Sequence, residues 1–297
     1  MIQQFDKRNE NIKVWIDGTL YHRNEAKISV FDSLCQGGDA VWEGLRIYNG
    51  KVFCIDEHLN RLLESAKSMA FEKVPEIAYI KDAIFTTLKA NKMFNETHIR
   101  LTLTRGEKIT SGMNPKLNQK GCTLIVLAEW KPSIYSGKKL KLVTANIRRN
   151  SPLCLDSKIH HNNLINNILA KIEANNAKVD DAIMLDLYGF VAETNATNVF
   201  MIKNNEVYTP FPDACLPGIT RGLIIQICKE NNIPVFEKNL SVTELYNADQ
   251  VFTTGTMGEL AKVIEIDKRA IKNKGILLIK LKNLFREKTI NSGTEII

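Results

Sequence analysis

The chain contains 297 residues, of which 44% are hydrophobic and 25% are charged, and its formal net charge is +7. These proportions are typical of a globular protein with one large domain or two of ordinary size. No apolar run approaches the roughly 20 residues that a membrane-spanning helix needs, so the sequence predicts no such span.

Charge, termini and cysteines limit the functional classes further. Much of the positive charge lies between Lys262 and Lys288, where apolar residues alternate with lysines as on a helix with one solvated face. No aromatic or glycine-rich module accompanies this charge, so nucleic-acid binding is not expected. The amino terminus lacks the apolar core of a signal peptide, and we expect a cytoplasmic protein. Six cysteines without CxxC spacing predict reduced, mostly buried side chains and no metal site.

The first part of the chain alternates predicted strands and helices. Apolar residues recur at helical spacing over 57–70 and 77–91, while strict alternation predicts a strand over 97–104. Further strands are predicted over 14–16, 52–55 and 123–128.

A stretch rich in proline, glycine and serine predicts a linker over 130–137, between a first domain over 1–129 and a second over 138–297. In the second domain a helix is predicted over 162–177. Its buried side is expected to carry the large apolar residues Ile165, Ile168, Leu169 and Ile172. Strands are predicted over 140–147, 182–187, 198–202, 206–209 and 251–254.

Two glycine turns carry the most specific signal. The turn Leu216-Pro-Gly-Ile-Thr-Arg221 opens directly into a helix predicted over 220–230, and a second turn runs Thr254-Gly-Thr-Met-Gly-Glu259. Glycine lets the backbone approach a ligand, and a helix start offers N–H groups and a positive dipole end to an anion. With the hydroxyls of Thr220 and Thr256, the two turns predict a site for a phosphate-bearing cofactor.

Three other segments accompany these turns in a particular order: Val41-Trp-Glu-Gly-Leu-Arg46, Glu57-His-Leu-Asn-Arg-Leu62 and Glu193-Thr-Asn-Ala-Thr-Asn-Val-Phe200. Together they resemble the class IV aminotransferases, the pyridoxal-phosphate family of branched-chain and D-amino-acid transaminases and aminodeoxychorismate lyase. The resemblance spans nearly the whole chain. It implies an α/β (α+β) fold of two domains with the cofactor in the interdomain cleft, and a homodimer or larger homo-oligomer.

The resemblance also implies which residues bind pyridoxal 5'-phosphate. Glu193 stands where the family places the carboxylate that pairs with the ring nitrogen, and Arg61 where it places an arginine that contacts the phosphate. The remaining phosphate contacts would come from the two turns, at Gly218, Ile219, Thr220, Gly255 and Thr256.

Substrate contacts are implied less uniformly. Met257 and Gly258 belong to the turn whose N–H groups receive the substrate carboxylate in relatives. Trp42 and Arg100 match an aromatic pocket wall and an arginine of branched-chain enzymes. Arg105 matches instead an arginine that grips the carboxylate in D-amino-acid enzymes, so both specificities stay open; a surface turn residue is the alternative for Arg105.

The expected Schiff-base lysine is displaced. Many relatives have the pattern Asp-Pro-Arg-Ile-Lys-Ser-x-Asn, whereas this chain has Asp156-Ser-Lys-Ile-His-His-Asn-Asn163, which puts His160 at the lysine position. Histidine has no primary amine. Lys158 lies two residues earlier, on the same face of an extended segment about 6.6–6.8 Å away. We therefore predict Lys158 as the imine-forming residue and proton shuttle, with His160 lining the site and able to move protons.

The predicted function is an aminotransferase that moves an amino group between a branched-chain or other apolar amino acid and 2-oxoglutarate. The alternatives are a D-amino-acid or amine transaminase, an aminodeoxychorismate lyase, and a pyridoxal-phosphate-binding protein that has lost turnover together with the usual lysine.

Overall fold

The chain, seen as a computed structural model, is described over residues 4–133, 135 and 137–296. It forms two compact units. Within the described residues, the N-terminal unit comprises 4–132, 159–163 and 292–296, and the C-terminal unit comprises 133, 135, 137–158 and 164–291. Part of the linker predicted over 130–137 lies outside the described residues. No helix in the described part is long and apolar enough to cross a membrane.

The strands are β1 Lys13–Ile16, β2 Thr19–His22, β3 Ala40–Tyr48, β4 Lys51–Val52, β5 Thr97–Thr104, β6 Thr123–Trp130, β7 Lys139–Thr144, β8 Asp181–Leu185, β9 Val191–Thr194, β10 Asn198–Lys203, β11 Glu206–Thr209, β12 Val235–Glu237, β13 Gln250–Gly255, β14 Glu259–Ile266, β15 Arg269–Ala270 and β16 Thr294–Glu295. The α-helices are α1 Ser33–Gly37, α2 Ile55–Ser68, α3 Ile77–Asn91, α4 Ile165–Asn176, α5 Ile219–Glu230, α6 Val242–Tyr246 and α7 Leu277–Asn291.

In the N-terminal unit, strands within the described residues form an antiparallel sheet in the order β16-β4-β3-β5-β6-β1-β2. One face of β5 carries Ile99, Leu101 and Leu103, which are fully buried in a core with Leu59 and Leu62 of α2. Burying each such side chain contributes about 1.5–3 kcal/mol. This packing holds α2 against the sheet.

The segment 159–163 extends the same sheet beside the first half of β3. The N–H of Trp42 donates to the carbonyl of His160 at 3.0 Å, and the N–H of Asn162 donates to the carbonyl of Ala40 at 2.7 Å. His161 forms an antiparallel bridge with Val41. A piece of chain that follows β7 in sequence is therefore part of the N-terminal unit.

The C-terminal unit contains a mixed sheet in the order β12-β11-β10-β13-β14-β7-β8-β9, with β15 paired to β14. β7 is parallel to both β8 and β14, and the other pairs except β11–β12 are antiparallel. Its core is apolar and includes Leu140, Ile183, Val199, Val251 and Val263. The two-sheet α/β arrangement confirms the predicted fold class.

Most element predictions are confirmed. The helix over 77–91 and the strands over 97–104 and 206–209 have the predicted bounds. The strand predicted over 52–55 is wrong beyond Val52, because Cys54 takes a left-handed conformation with φ of 51° and α2 begins at the next residue.

The buried side predicted for the helix over 162–177 is wrong. α4 buries Ala170 and Ala174, which pack in a small cluster with alanines of neighbouring segments. The large apolar residues face outward, with exposures of 60%, 50%, 44% and 47% at Ile165, Ile168, Leu169 and Ile172. Small side chains let a helix approach a sheet closely, and hydrophobic periodicity alone does not distinguish that face from a bulky one.

The prediction of mostly buried cysteines is also wrong. Cys215 and Cys228 are buried, Cys54 and Cys122 are partly exposed, and Cys35 and Cys154 are exposed. All six are free thiols, as predicted. Of the two exposed cysteines, Cys35 lies in the short helix α1 and Cys154 lies in a turn, where a side chain has no core to enter.

Candidate active site

The carboxylate of Glu43 lies at the centre of a buried polar cluster in the N-terminal unit. β3 presents Glu43 toward α2, and its exposure is 0%. Arg61 donates to it twice, from Nε to Oε1 at 2.8 Å and from Nη2 to Oε2 at 2.7 Å. Nδ1 of His58 lies 2.6 Å from Oε2, and Nδ1 of His160 lies 3.0 Å from Oε1. Arg61, placed on the phosphate by resemblance, is thus held by a carboxylate that the sequence analysis did not assign.

His160 is fixed by its ring and by its backbone. Its N–H donates to Oγ of Ser65 at 3.1 Å, and its ring centroid lies 4.1 Å from that of Trp42. Burial lowers the pKa of His160 to about 4, although Glu43 acts in the opposite direction. The imidazole is therefore neutral at pH 7, the form that can accept a proton.

Arg100 shares this region with Trp42. Its guanidinium lies 3.4 Å from the centroid of the indole ring, and its Nη2 donates to Oδ1 of Asn162 at 2.5 Å. Burial lowers the pKa of Arg100 to about 10, with Glu43 partly compensating. Arg100 is half-buried, and a partly desolvated cation of this kind can bind an anionic group.

Arg105 is a buried structural residue in this unit. Its Nε donates to Asp39 at 2.6 Å, and its Nη atoms donate to the carbonyls of Met69 at 2.7 Å and Ala70 at 3.0 Å. These contacts join the end of β5 to the end of α2. The geometry favours a role in the fold over a grip on a substrate carboxylate.

In the C-terminal unit a second carboxylate, Glu193, is also buried. Nε of Arg149 donates to its Oε1 at 2.7 Å, and Nδ2 of Asn198 lies 3.3 Å from its Oε2. The same Nδ2 donates to the carbonyl of Leu216 at 2.9 Å. Asn198 therefore joins Glu193 directly to the glycine turn that the sequence analysis placed on the phosphate.

The turn itself has the geometry of an anion-binding helix start. α5 begins at Ile219, and its N-cap residue Gly218 makes no side-chain cap. A Cβ atom at Gly218 would lie 2.1 Å from Oδ1 of Asn198, so only glycine fits there. Thr220 is buried in the first turn of α5. N–H groups of this turn are available to an anion in the way that phosphate sites use helix starts.

The second glycine turn follows β13. Gly255 ends the strand, Thr256 and Met257 follow half-buried, and Gly258 is buried. A Cβ atom at Gly258 would lie 2.5 Å from the ring of Tyr135, so this turn is also closely packed.

Lys158 is exposed in the C-terminal unit. Its backbone N–H donates to Oδ1 of Asp156 at 2.9 Å, and the hydroxyl of Ser157 donates to the carbonyl of Asn150 at 2.8 Å. Residues 157–159 form a turn and a bend, so the prediction that Lys158 and His160 share one face of an extended segment is wrong.

Comparison with known proteins agrees with this geometry. The family described as "Amino-transferase class IV" matches residues 40–266. The chain belongs to the class IV aminotransferases.

Individual members of the family resemble most of the chain. The "Branched-chain-amino-acid aminotransferase-like protein 2" of Arabidopsis thaliana is 57% identical over 97% of this chain, which spans about half (52%) of that protein's length. The "Putative branched-chain-amino-acid aminotransferase" of Methanocaldococcus jannaschii is 37% identical over 93% of this chain and 96% of its own. The crystal structure of a branched-chain aminotransferase from Thermoproteus uzoniensis with norvaline has a TM-score of 0.86 at 29% identity, and the match covers 94% of this chain and 95% of that one.

The residues of this aminotransferase chain fit pyridoxal phosphate in two of three respects. A glycine turn that a Cβ would block and a buried carboxylate joined to it by Asn198 suit a phosphate and a protonated ring nitrogen. The amine is the exception, since the family's lysine position holds His160 and its ring is bonded to Glu43.

Sequence reasoning missed the residues that hold the predicted ones in place: Glu43, His58, Ser65, Arg149 and Asn198. Glu43 and His58 lie inside the motifs that carry the resemblance, and Asn198 lies in the Glu193 segment. Their positions were therefore visible, but their contacts depend on which strands and helices are neighbours. Arg149 gave no motif signal.

Proposed function

We propose that this class IV aminotransferase uses pyridoxal phosphate to move an amino group between a branched-chain or other apolar amino acid and 2-oxoglutarate. The observation that carries the proposal is the link through Asn198 between the buried Glu193 carboxylate and the Leu216–Gly218 turn. A cofactor with a basic ring nitrogen and a phosphate needs both groups. The proposal also includes a cytoplasmic location, as the sequence predicts, and a homodimer or larger homo-oligomer, as the family resemblance implies.

The cofactor-binding residues divide by their chemistry. Gly218, Ile219 and Thr220 would bind the phosphate at the start of α5, with Thr256 and Arg61 as further donors. Glu193 would accept a hydrogen bond from the protonated ring nitrogen and so keep the ring protonated. When bound, pyridoxal phosphate supplies an electron sink for the substrate carbon that loses a proton.

The proposed substrate preference depends on Trp42 and Arg100. The indole offers an apolar surface, and burying a leucine-sized side chain against such a surface is worth about 1.5–3 kcal/mol. The Arg100 guanidinium, stacked on Trp42, would bind the second carboxylate of 2-oxoglutarate. Met257 and Gly258 would receive the carboxylate that both substrates share.

Lys158 supplies the primary amine in this proposal. It is exposed on a turn ordered by Asp156, and it lies two residues before the family's lysine position. Its amine would form the covalent link to the cofactor aldehyde, a role that the His160 imidazole cannot take.

A second candidate is a protein that binds the cofactor without turnover. It is favoured by the occupation of the family's lysine position by His160, whose ring is bonded to Glu43. The D-amino-acid alternative receives no such support, because Arg105 is bound to Asp39 and two backbone carbonyls.

Borohydride trapping separates these candidates. The purified chain with pyridoxal phosphate should show a visible absorption band that borohydride abolishes, and the label should map to the peptide that contains Lys158. Lys158→Ala should lose the label but still bind the cofactor, whereas Lys178→Ala, on an exposed turn, should keep it. A wild-type protein that binds the cofactor but traps no lysine supports the second candidate.

A panel of amino donors tests the substrate class. L-leucine and L-isoleucine should transfer nitrogen to 2-oxoglutarate faster than D-alanine does. Faster transfer from D-alanine would replace the branched-chain assignment by the D-amino-acid one.

A further inference from the structure

A polar cavity of about 320 Å³ lies in the N-terminal unit, lined by residues that follow α2 and by the loop that joins β5 to β6. Its lining includes three cations, Lys73, Arg105 and Lys116, and one carboxylate, that of Glu72. Ligand cavities in proteins start at about this size, and a few converging polar groups set the class of ligand that they bind. The cofactor and substrates proposed above make no use of this cavity.

Arg105 is the buried cation of the cavity, with 9% of its surface exposed. A guanidinium has five N–H groups. Two of them are donated to Asp39, and one each to the carbonyls of Met69 and Ala70. The remaining N–H, on Nη1, has no partner among the described residues. Because Asp39 balances its charge, Arg105 contributes a fixed donor to the cavity rather than a free charge.

The uncompensated charge comes from the two lysines, which are exposed. Nζ of Lys73 donates one hydrogen bond, to the carbonyl of Gln119 at 2.9 Å, so two of its N–H groups remain. The ammonium of Lys116 makes no hydrogen bond among the described residues and keeps three. With the one N–H of Arg105, three side chains thus offer six unused donors.

This donor set fits a phosphate better than a carboxylate. A phosphate monoester presents three accepting oxygens and a charge of about −1.5 to −2 at pH 7. A carboxylate has two oxygens and a single charge. Three cationic side chains around one cavity can each reach a different phosphate oxygen, and hydrogen bonds between ionised groups are the strong ones.

The loop that carries Lys116 is held in place by the protein. Nδ2 of Asn118 donates to Oγ of Ser33 and to the carbonyl of Gly106, both at 2.7 Å. A Cβ atom at Gly106 would lie 1.8 Å from the carbonyl oxygen of Gly121, so two glycines bring the ends of the loop into contact. The cavity is therefore formed before a ligand binds, and a preformed site loses less entropy on binding.

An apolar groove adjoins the cavity and shares Ala70 and Glu72 with it. Its apolar side chains are Leu63, Phe71, Val74 and Pro75. The centroid of the Phe71 ring lies 4.4 Å from Cζ of Arg105, so the groove begins beside the buried cation. An apolar group attached to the anion can lie in this groove.

We propose that the cavity binds a small phosphate monoester that carries an apolar group. The phosphate accepts hydrogen bonds from Lys73, Arg105 and Lys116, and the apolar group packs in the groove against Val74. Glu72, where cavity and groove meet, repels the anion and limits its affinity. The site lies within one compact unit and does not depend on the proposed aminotransferase chemistry.

Titration calorimetry of the full chain with phenyl phosphate tests the site. Saturable binding with a Kd on the order of 1 mM or lower is expected. Lys116→Gln should weaken it roughly tenfold, because it removes a charged donor and no contact within the protein. Lys120→Gln is the matched control: Lys120 lies in the same loop, pairs with Glu107 and is outside the cavity lining, so affinity should not change. Glu72→Gln should tighten binding roughly 1.5–5-fold, because it removes an opposing exposed charge.

Two further ligands test the chemical class. Inorganic phosphate should bind roughly 3–30-fold more weakly than phenyl phosphate, because it has no apolar group to bury. Val74→Ser should narrow this difference and leave the affinity for inorganic phosphate unchanged. Benzoate, with the same ring on a carboxylate, should bind roughly tenfold more weakly than phenyl phosphate.

The outcomes that overturn the proposal are distinct. Equal losses in Lys116→Gln and Lys120→Gln would mean attraction by surface charge in general. Binding that is lost in Gly218→Ala, at the proposed phosphate turn of the cofactor, but kept in Lys116→Gln would assign the anion to that turn. Benzoate that binds as tightly as phenyl phosphate overturns the phosphate class, and a chain that binds none of the three ligands overturns the site itself.

Discussion

Glu43 in the N-terminal unit and Glu193 in the C-terminal unit are both buried carboxylates that receive the Nε of an arginine, Arg61 at 2.8 Å and Arg149 at 2.7 Å. Their other contacts differ. Glu43 faces two imidazoles, which can change protonation, whereas Glu193 meets the amide of Asn198, which cannot. The two carboxylates thus share an arginine contact but differ in whether their neighbouring side chains can titrate near neutral pH.

The largest effect is expected at Glu193. Glu193→Gln keeps an oxygen for Arg149 but cannot hold a proton on the cofactor ring, so turnover should fall roughly 10²–10³-fold, as when a preorganised electrostatic partner is lost. Cofactor affinity should stay unchanged. Steady-state kinetics and cofactor titration check this, with Glu206→Gln on β11 as the control. Full activity in Glu193→Gln would remove Glu193 from the mechanism.

A substitution of Arg100 tests whether its guanidinium binds the second carboxylate of 2-oxoglutarate. Arg100→Ala should raise the KM for 2-oxoglutarate roughly 10–100-fold, because a hydrogen bond to a charged group is worth about 1.5–3 kcal/mol. The KM for the keto acid of leucine should change far less, and Lys120→Ala on an exposed turn should change neither. Equal losses for both keto acids would contradict a specific role in binding the second carboxylate.

Alanine substitutions at Gly218, the N-cap residue of α5, and at Gly222, within α5, test the close contact between the glycine turn and Asn198. Gly218→Ala places a Cβ against Asn198 and should cost about 1–3 kcal/mol, with weaker cofactor binding. Gly222→Ala meets nothing within 4 Å and should stabilise the chain by about 0.5–1 kcal/mol. Chemical denaturation and cofactor titration of the two variants give the comparison. Equal behaviour of the pair would contradict the close contact between the turn and Asn198.

Acid is expected to lower the stability of the N-terminal unit. Burial, with Lys131, Arg46 and Arg100, lowers the pKa of His98 to about 3, and burial lowers that of His160 to about 4. Both rings remain neutral in the fold while the unfolded chain takes up protons below pH 6.5. The free energy of unfolding should therefore decrease as the pH falls from about 6.5 to 4, by about 1.4 kcal/mol per pH unit for each ring.

Denaturation at several pH values checks this slope. His98→Gln should lower it by one proton's worth, about 1.4 kcal/mol per pH unit. Thr102→Ser, on the same face of β5, should leave it unchanged. An unchanged slope in His98→Gln would show that its imidazole is not held neutral by the fold.

Local sequence was sufficient for most elements and for the family. The helix over 77–91 and the strand over 97–104 follow from hydrophobic spacing, because each buries one face against a single core. Glycine turns, Glu193 and Arg61 were recognisable because their motifs are short and contiguous. Gly218 has no room for a Cβ atom, so the position requires glycine, and this glycine is visible in the sequence.

The buried face of α4 and the partners of the buried charges depend on the tertiary structure, and hydrophobic spacing could not predict them. The apolar stripe of α4 faces outward, because small alanines on the opposite side allow close packing, and sequence periodicity does not say which side a neighbour covers. Glu43, Arg61 and His160 come from a strand, a helix and a segment 117 positions beyond Glu43, and they meet only because 159–163 pairs with β3. The types of chemical groups were thus set by the sequence, while the partners of each buried charge depended on long-range strand pairing.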